Sequence, residues 1–246
     1  MAQDKAGRTR ETQQQTPKQQ PAGKNWLLAI AIDKYADKPL NNCVRDVRAF
    51  IDVASQRYNF EDDHVIPLFD EAATADGIYD AFEDLLDKVK PNDNLIVYYS
   101  GHGDYHGRLK EGYWIPFDAD TRSRQIPNDT LKRYLREIQT RHTLIICDSC
   151  FSGTFAIKSK DEDYSPEALT QRYQDSSRWV ITSGSKHEVL DGMEGGHSPF
   201  AEALLAKMRS HEGDLSARSL GDYVISELAA KKIYQKPLSE VFDKEF

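Results

Sequence analysis

The chain has 246 residues, 39% hydrophobic and 29% charged, with 32 Lys and Arg against 40 Asp and Glu for a formal net charge of −8. That is enough apolar chain for one large or two small soluble domains, and the acidic balance argues against bulk attraction to nucleic acid or to an anionic membrane. Three cysteines make no disulfide framework and fit a reducing, cytoplasmic setting, while no apolar run reaches a membrane span and no apolar core of a secretion signal follows Met1.

Residues 1–24 are rich in Gln, Lys and Arg with almost nothing to bury, which reads as a disordered tail. Trp26 to Ile32 is a continuous apolar run, the pattern of a strand covered on both faces. Val44, Val47, Phe50, Ile51 and Ala54 fall at helical spacing, so 42–57 is an amphipathic helix. His64 to Phe69 makes a second strand. Ile78, Ala81, Phe82, Leu85 and Leu86 mark a second helix, capped by Thr74 and stopped before Pro91. Leu95 to Ser100 is the third strand. A polar stretch, 101–128, is a long loop with room for a small hairpin around Tyr113 to Pro116. A helix over 129–138 leads into a fourth strand, Thr143 to Cys147. Residues 156–176 are highly charged and contain Pro166, as an exposed linker does. Beyond it come a strand at Trp179 to Thr182, helices at Ser198 to Met208 and Leu220 to Ala230, and a last extended segment, Lys236 to Phe242. Strands alternating with helices imply an α/β fold: a mostly parallel sheet with right-handed crossovers.

Two of the apolar runs stop abruptly at small and polar residues, each with a reactive side chain at the break. The first, Tyr98-Tyr99-Ser100-Gly101-His102-Gly103, delivers an imidazole. The second, Ile145-Ile146-Cys147-Asp148-Ser149-Cys150, delivers a thiol. Neighbouring parallel strands would bring His102 and Cys150 together at the carboxyl edge, where open α/β sheets place their sites. A thiolate is the strong nucleophile and the imidazole its proton-transfer partner, the minimal apparatus of a cysteine hydrolase. A helix starting after Cys150 would lower the thiol pKa through its dipole. The N–H groups of Cys150 and Gly103 are candidate oxyanion donors. Cys147 lies inside the apolar run and reads as a core side chain. The Cys-x-x-Cys pair with His102 and His106 also leaves a zinc site or a redox dithiol open, provided the four side chains converge.

Ser-Gly-His-Gly after an aliphatic-aromatic strand, followed 48 residues after the histidine by the cysteine of Asp-Ser-Cys-Phe-Ser-Gly, resembles the caspase-type cysteine peptidases, closest to metacaspases and orthocaspases. The resemblance runs from Trp26 to about Phe242. It implies a caspase-like three-layer sandwich with about six strands, a large-subunit-like half (25–155), the linker, and a small-subunit-like half (177–242). It makes His102 the catalytic histidine and Cys150 the nucleophile. Asp148, two residues before the cysteine, matches the metacaspase pocket aspartate. Asn42-Cys43-Val44-Arg45-Asp46 resembles the metacaspase Cys-x-x-Asp segment and places Asp46 and Cys43 at the same pocket, with Ser100 as the pocket serine. Val180 to Ser185, His197 to Leu204 and Gln235-Lys236-Pro237 resemble the small-subunit half, where the stretch containing Ser183 flanks the substrate. Two carboxylates around one cleft suit a guanidinium, so the expected substrate is a protein or peptide cut after Arg or Lys.

The chain departs from the family in two places. Metacaspases that bind calcium use a cluster of aspartates with an adjacent Asp-Asp pair; here the pair reads Asn128-Asp129, leaving Asp118, Asp120 and Asp129 as oxygen ligands. The resemblance therefore implies no cofactor for the chemistry and a weakened case for Ca2+ activation. Phe151 replaces a common histidine at the pocket rim. The linker offers Lys158, Lys160 and Arg172 to an enzyme that cuts after basic residues, so it is a candidate processing site. Two other readings compete with the peptidase: a catalytically silent caspase-like module that binds a partner peptide in the same cleft, and a zinc-stabilised structural protein.

Overall fold

The computed structural model describes residues 23–150, 176–184, 191–233, 235 and 237–242. Most of the 156–176 linker and the expected helix after Cys150 lie outside these residues. The tail does too, apart from its last two residues. In chain order the elements are β1 (Asn25–Ala31), α1 (Cys43–Arg57), β2 (Val65–Phe69), α2 (Ala75–Lys88), β3 (Asn94–Ser100), β4 (Gly103–His106), β5 (Glu111–Trp114), β6 (Ile126–Pro127), α3 (Asn128–Glu137), β7 (His142–Asp148), β8 (Ser177–Thr182), α4 (Pro199–Ser210), α5 (Ala217–Ala230) and β9 (Leu238–Val241).

Six strands form one sheet in the order β2-β1-β3-β7-β8-β9, parallel except for the β8–β9 pair. The period of two in a strand sends alternate side chains to opposite faces. Leu27, Ala29, Tyr98, Ile146 and Ile181 pack on one face against Val47 and Phe50 of α1, Phe200 and Leu204 of α4, and Val224 and Leu228 of α5. Leu28, Ile30, Val97, Tyr99, Ile145 and Cys147 pack on the other against Ile78, Phe82 and Leu85 of α2 and Leu131 and Leu135 of α3. This is the helix–sheet–helix sandwich expected. Burial on both faces is the reason the β1 and β3 sequences read as unbroken apolar runs.

The Thr74 hydroxyl accepts the Gly77 N–H at 3.0 Å and caps α2 as expected. In α1 the cap comes from outside the helix: the Asp33 carboxylate accepts the N–H groups of Cys43 (2.8 Å) and Val44 (3.2 Å). Contacts to the fold begin slightly before the apolar run: the Lys24 N–H donates to Asp93 Oδ1 at 2.8 Å and its ammonium meets His64 Nε2 at 2.9 Å.

The polar stretch after Ser100 differs most from the sequence reading. It folds into a three-stranded antiparallel sheet, β4-β5-β6, with Gly103 opposite Trp114 and Tyr113 opposite Pro127. The hairpin therefore sits at 103–114, earlier than the Tyr113 to Pro116 site. Its strands are two to four residues long and rich in Gly and charge, so neither period nor propensity marks them.

Candidate active site

β3 and β7 are hydrogen-bonded neighbours, with Ser100 and Asp148 directly paired in register. The lacing continues one residue further, the Gly101 N–H donating to the Asp148 carbonyl at 3.3 Å. Each strand then releases its reactive residue two positions on, His102 from β3 and Cys150 from β7. Both line one cleft of about 870 Å³, together with Gly103, Asp148, Asp46, Ser100 and Cys43. At Gly103 a Cβ would lie 2.1 Å from the Cys150 carbonyl oxygen, so only glycine lets the two segments approach this closely.

The histidine is held from three sides by residues that sequence reasoning missed. Its Nε2 lies 2.7 Å from the Lys38 carbonyl oxygen. A carbonyl only accepts, so Nε2 carries the proton and Nδ1 is left as the basic nitrogen. Lys38 has a φ of 55°, a left-handed conformation that costs a non-glycine residue energy and here aims a carbonyl at the ring. The Tyr35 ring packs on the imidazole at 4.5 Å, and its hydroxyl accepts the His102 N–H at 3.0 Å while donating to the Ile115 carbonyl at 2.9 Å. The Tyr99 hydroxyl donates to the His102 carbonyl at 2.6 Å, and the Trp114 ring stacks flat on Tyr99 at 4.3 Å. Burial pushes both tyrosine hydroxyls far up, so they serve as fixed neutral hydrogen-bonding groups. Only a buried tyrosine at a strand end hints at such a role in the sequence.

The acidic pocket lies on the α1/α4 side. Asp46 is 1% exposed and Asp148 5%. Ser198, the N-cap of α4, bridges them: its N–H donates to Asp46 Oδ2 at 3.1 Å and its hydroxyl to Asp148 Oδ2 at 2.6 Å, while that hydroxyl accepts the Ala201 N–H. His197 Nδ1 lies 2.5 Å from Asp46 Oδ1. Asp46 thus has both oxygens engaged, whereas Asp148 Oδ1 is buried without a hydrogen-bond partner among the described residues. Ser183 is buried near Asp148, close enough to bias its ionisation yet completing no hydrogen bond with it. The two carboxylates of the cleft are therefore unequal. Burial pushes Asp148 up to about 7, the Ser183 and Ser198 hydroxyls pulling down and the charges of Asp46 and Asp191 pushing up. Burial also raises Asp46, against His197 and Ser198. Cys43 is buried beside Ser100, and burial lifts its thiol well above the ordinary range, which keeps it protonated and unreactive. Asp191 lines the same cleft and accepts the Asn41 N–H at 2.8 Å, tying the loop before α4 to the start of α1.

Cys147 is fully buried in the α2/α3 core, with its sulfur 3.2 Å from the Ser149 hydroxyl. Among the described residues the only His, Cys or acidic side chains that bring three ligand atoms within 4.8 Å of one another are Glu61, Asp63 and His64, next to the start of β2 at the opposite edge of the sheet. Cys147, Cys150, His102 and His106 do not converge as zinc would require. Asp118, Asp120 and Asp129 do not form such a three-ligand cluster either: Asp118 is engaged by the Ala75 N–H (2.8 Å) and Arg124 (2.5 Å), and Asp129 by Lys132 (3.3 Å).

The fold defines the class. Over 90% of its length the chain superposes on Caspase-1 of Spodoptera frugiperda with a TM-score of 0.64 at 12% identity, covering 87% of that chain. A protein of Geobacter sulfurreducens gives 0.65 at 19% identity, over 90% of this chain and 95% of that one. Both likenesses show a caspase-like α/β sandwich. The family model described as "Caspase domain" matches residues 24–243, and the chain belongs to the caspase family of cysteine-type peptidases. Metacaspase-1 of Meyerozyma guilliermondii is 27% identical over 148 residues, 54% of this chain and 36% of that protein; Metacaspase-1B of Aspergillus oryzae is 30% identical over 148 residues, 54% and 35%. The chain spans about a third of the length of these relatives.

Proposed function

We propose that this chain is a cysteine endopeptidase that cuts proteins or peptides after Arg, or Lys, through an acyl-enzyme. Cys150 attacks the scissile carbonyl carbon, and the N–H groups of Cys150 and Gly103 hold the developing oxyanion. His102 takes the thiol proton and delivers it to the departing amine as the C–N bond breaks. Water, deprotonated by the same imidazole, then cleaves the thioester and restores the thiol. Asp148 Oδ1 receives the basic side chain, with Ser100 and Ser183 beside it and Cys43 and Asp46 in the wall.

One observation carries this reading: the Ser100–Asp148 register pair brings the imidazole, the thiol and the buried acids into one cleft. The chemistry as written needs no cofactor, and calcium is not part of the proposed mechanism. The proposed setting is the reducing cytoplasm, where the thiol stays active. No nucleic acid or membrane partner enters the proposal.

The test is a set of peptides identical except for the residue before the cut, assayed with and without calcium. Turnover of the Arg and Lys members, with Arg preferred, is expected, with no requirement for calcium. Cys150→Ala should abolish turnover while leaving the melting temperature near that of the parent. Turnover retained in that variant would sink the mechanism, and turnover confined to other residues would sink the pocket assignment.

A further inference from the structure

The acidic pocket holds its own competitor. Asp46 is 1% exposed and meets His197 Nδ1 at 2.5 Å and the Ser198 N–H at 3.1 Å, so neither of its oxygens is open to an incoming cation. Asp148, by contrast, keeps Oδ1 buried and without a hydrogen-bond partner among the described residues. Among the described residues His197 is the only positively chargeable side chain paired with any of the acids Asp46, Asp148 and Asp191. A buried carboxylate without such a partner is costly, which accounts for the pairing. The imidazole is itself a quarter exposed, so it can leave toward solvent, whereas Asp46, within α1, cannot.

A guanidinium that reaches Asp148 Oδ1 with one edge has donors left over. The acceptor able to take them with a full charge is Asp46 Oδ1, and His197 holds it. We infer that His197 is a specificity-determining residue, an internal hydrogen-bond partner that occupies Asp46 Oδ1 until the basic side chain of a substrate displaces it. The inference rests on the proposal that the pocket receives Arg or Lys. It adds that binding exchanges the imidazole for the incoming side chain at Asp46, which lets Arg gain over Lys because the planar fork has donors left for a second carboxylate. The same exchange disfavours a neutral isostere, which can reach Asp148 but has no charge with which to replace the imidazole.

The inference is tested in the full chain with a reversible arginyl-aldehyde peptide and matched Arg, Lys and citrulline substrates. His197→Ala should tighten aldehyde binding and lower KM for the Arg substrate by about tenfold, the size of one charge-assisted hydrogen bond no longer competed for, and should leave citrulline unaffected. His197→Gln, which keeps a neutral donor to Asp46, should fall between. Equal or weaker Arg binding in a folded His197→Ala protein overturns the inference. A measurement on the unaltered protein covers the case in which both variants fail to fold. The His197 Nδ1 signal, followed by 15N NMR during titration with the aldehyde, should shift as its hydrogen bond to Asp46 is lost. A signal that stays put while the aldehyde binds overturns the inference equally. If the parent chain neither cleaves Arg substrates nor binds the aldehyde, it is the basic-pocket reading that fails, before His197 is reached.

Discussion

At Asp148 the needs of the fold and of the site conflict. Burial raises its carboxyl to about 7 in the folded chain, from the ordinary carboxylate range near 3.8. The folded state therefore holds this proton more tightly than the unfolded state. On that account stability falls as pH rises from about 4 to about 7, and the penalty is constant above that range. Asp148→Asn removes it: the variant should melt higher than the parent at pH 8, the gap closing toward pH 4, as thermal denaturation across that range would show. The same change should destroy cleavage after Arg, because a cation needs the ionised form. In the parent, KM for Arg peptides should fall as pH rises through 7. Gly103 is a matter of space, since a Cβ there would meet the Cys150 carbonyl at 2.1 Å, a backbone atom that cannot swing aside. Gly103→Ala should cost about 100-fold in kcat by displacing Cys150, the proposed nucleophile, measurable with an Arg peptide.

Among the elements, α4 ties the site to the core. Its cap residue, Ser198, accepts the Ala201 N–H and also bonds both pocket acids, so the helix N-terminus, with its partial positive charge, faces Asp46 and Asp148. Ser198→Ala should lose about 1 kcal/mol of stability from the cap. It also takes a donor from Asp148, so the pH at which Arg binding improves should move upward; an unchanged KM–pH profile would refute this coupling. β2 shows a different economy. Among the described residues it is an edge of the large sheet, pairing only with β1, and it carries an exposed Pro67 at its centre. Proline cannot donate a ladder bond, so this edge resists pairing with a further strand.

Over the whole molecule the charge is directed. A net −8 would be only a solubility statement if it were spread evenly. Among the described residues, however, the cleft is lined by Asp37, Asp46, Asp120, Asp148 and Asp191 against Lys38, while Asp104 and Asp118 at its wall are paired with Arg122 and Arg124. A concave acidic surface focuses the field and raises encounter rates with cations. For an Arg peptide kcat/KM should therefore drop several-fold between about 0.02 and 0.3 M salt, where the Debye length shrinks from roughly 20 to 6 Å. An equal drop for a peptide with a neutral residue before the cut would point to some other effect of salt.

The sequence by itself determined the sandwich and the pair of strand ends. Buried parallel strands need unbroken apolar runs, and a run that stops at Ser-Gly-His or Asp-Ser-Cys exposes its break in one dimension. The positions of His102, Cys150, Asp148 and Asp46 were legible for that reason. Only the tertiary structure decided how those groups are held, because the contacts join distant residues without a local pattern: the Lys38 carbonyl on His102, Tyr35 under it, and His197 and Ser198 on acids 50 and about 150 residues away. It also decided that the two acids are unequal. Which carboxylate oxygen is spoken for depends on where the cap of α4 lands, and that is set by the packing of α4 on α1 and the sheet.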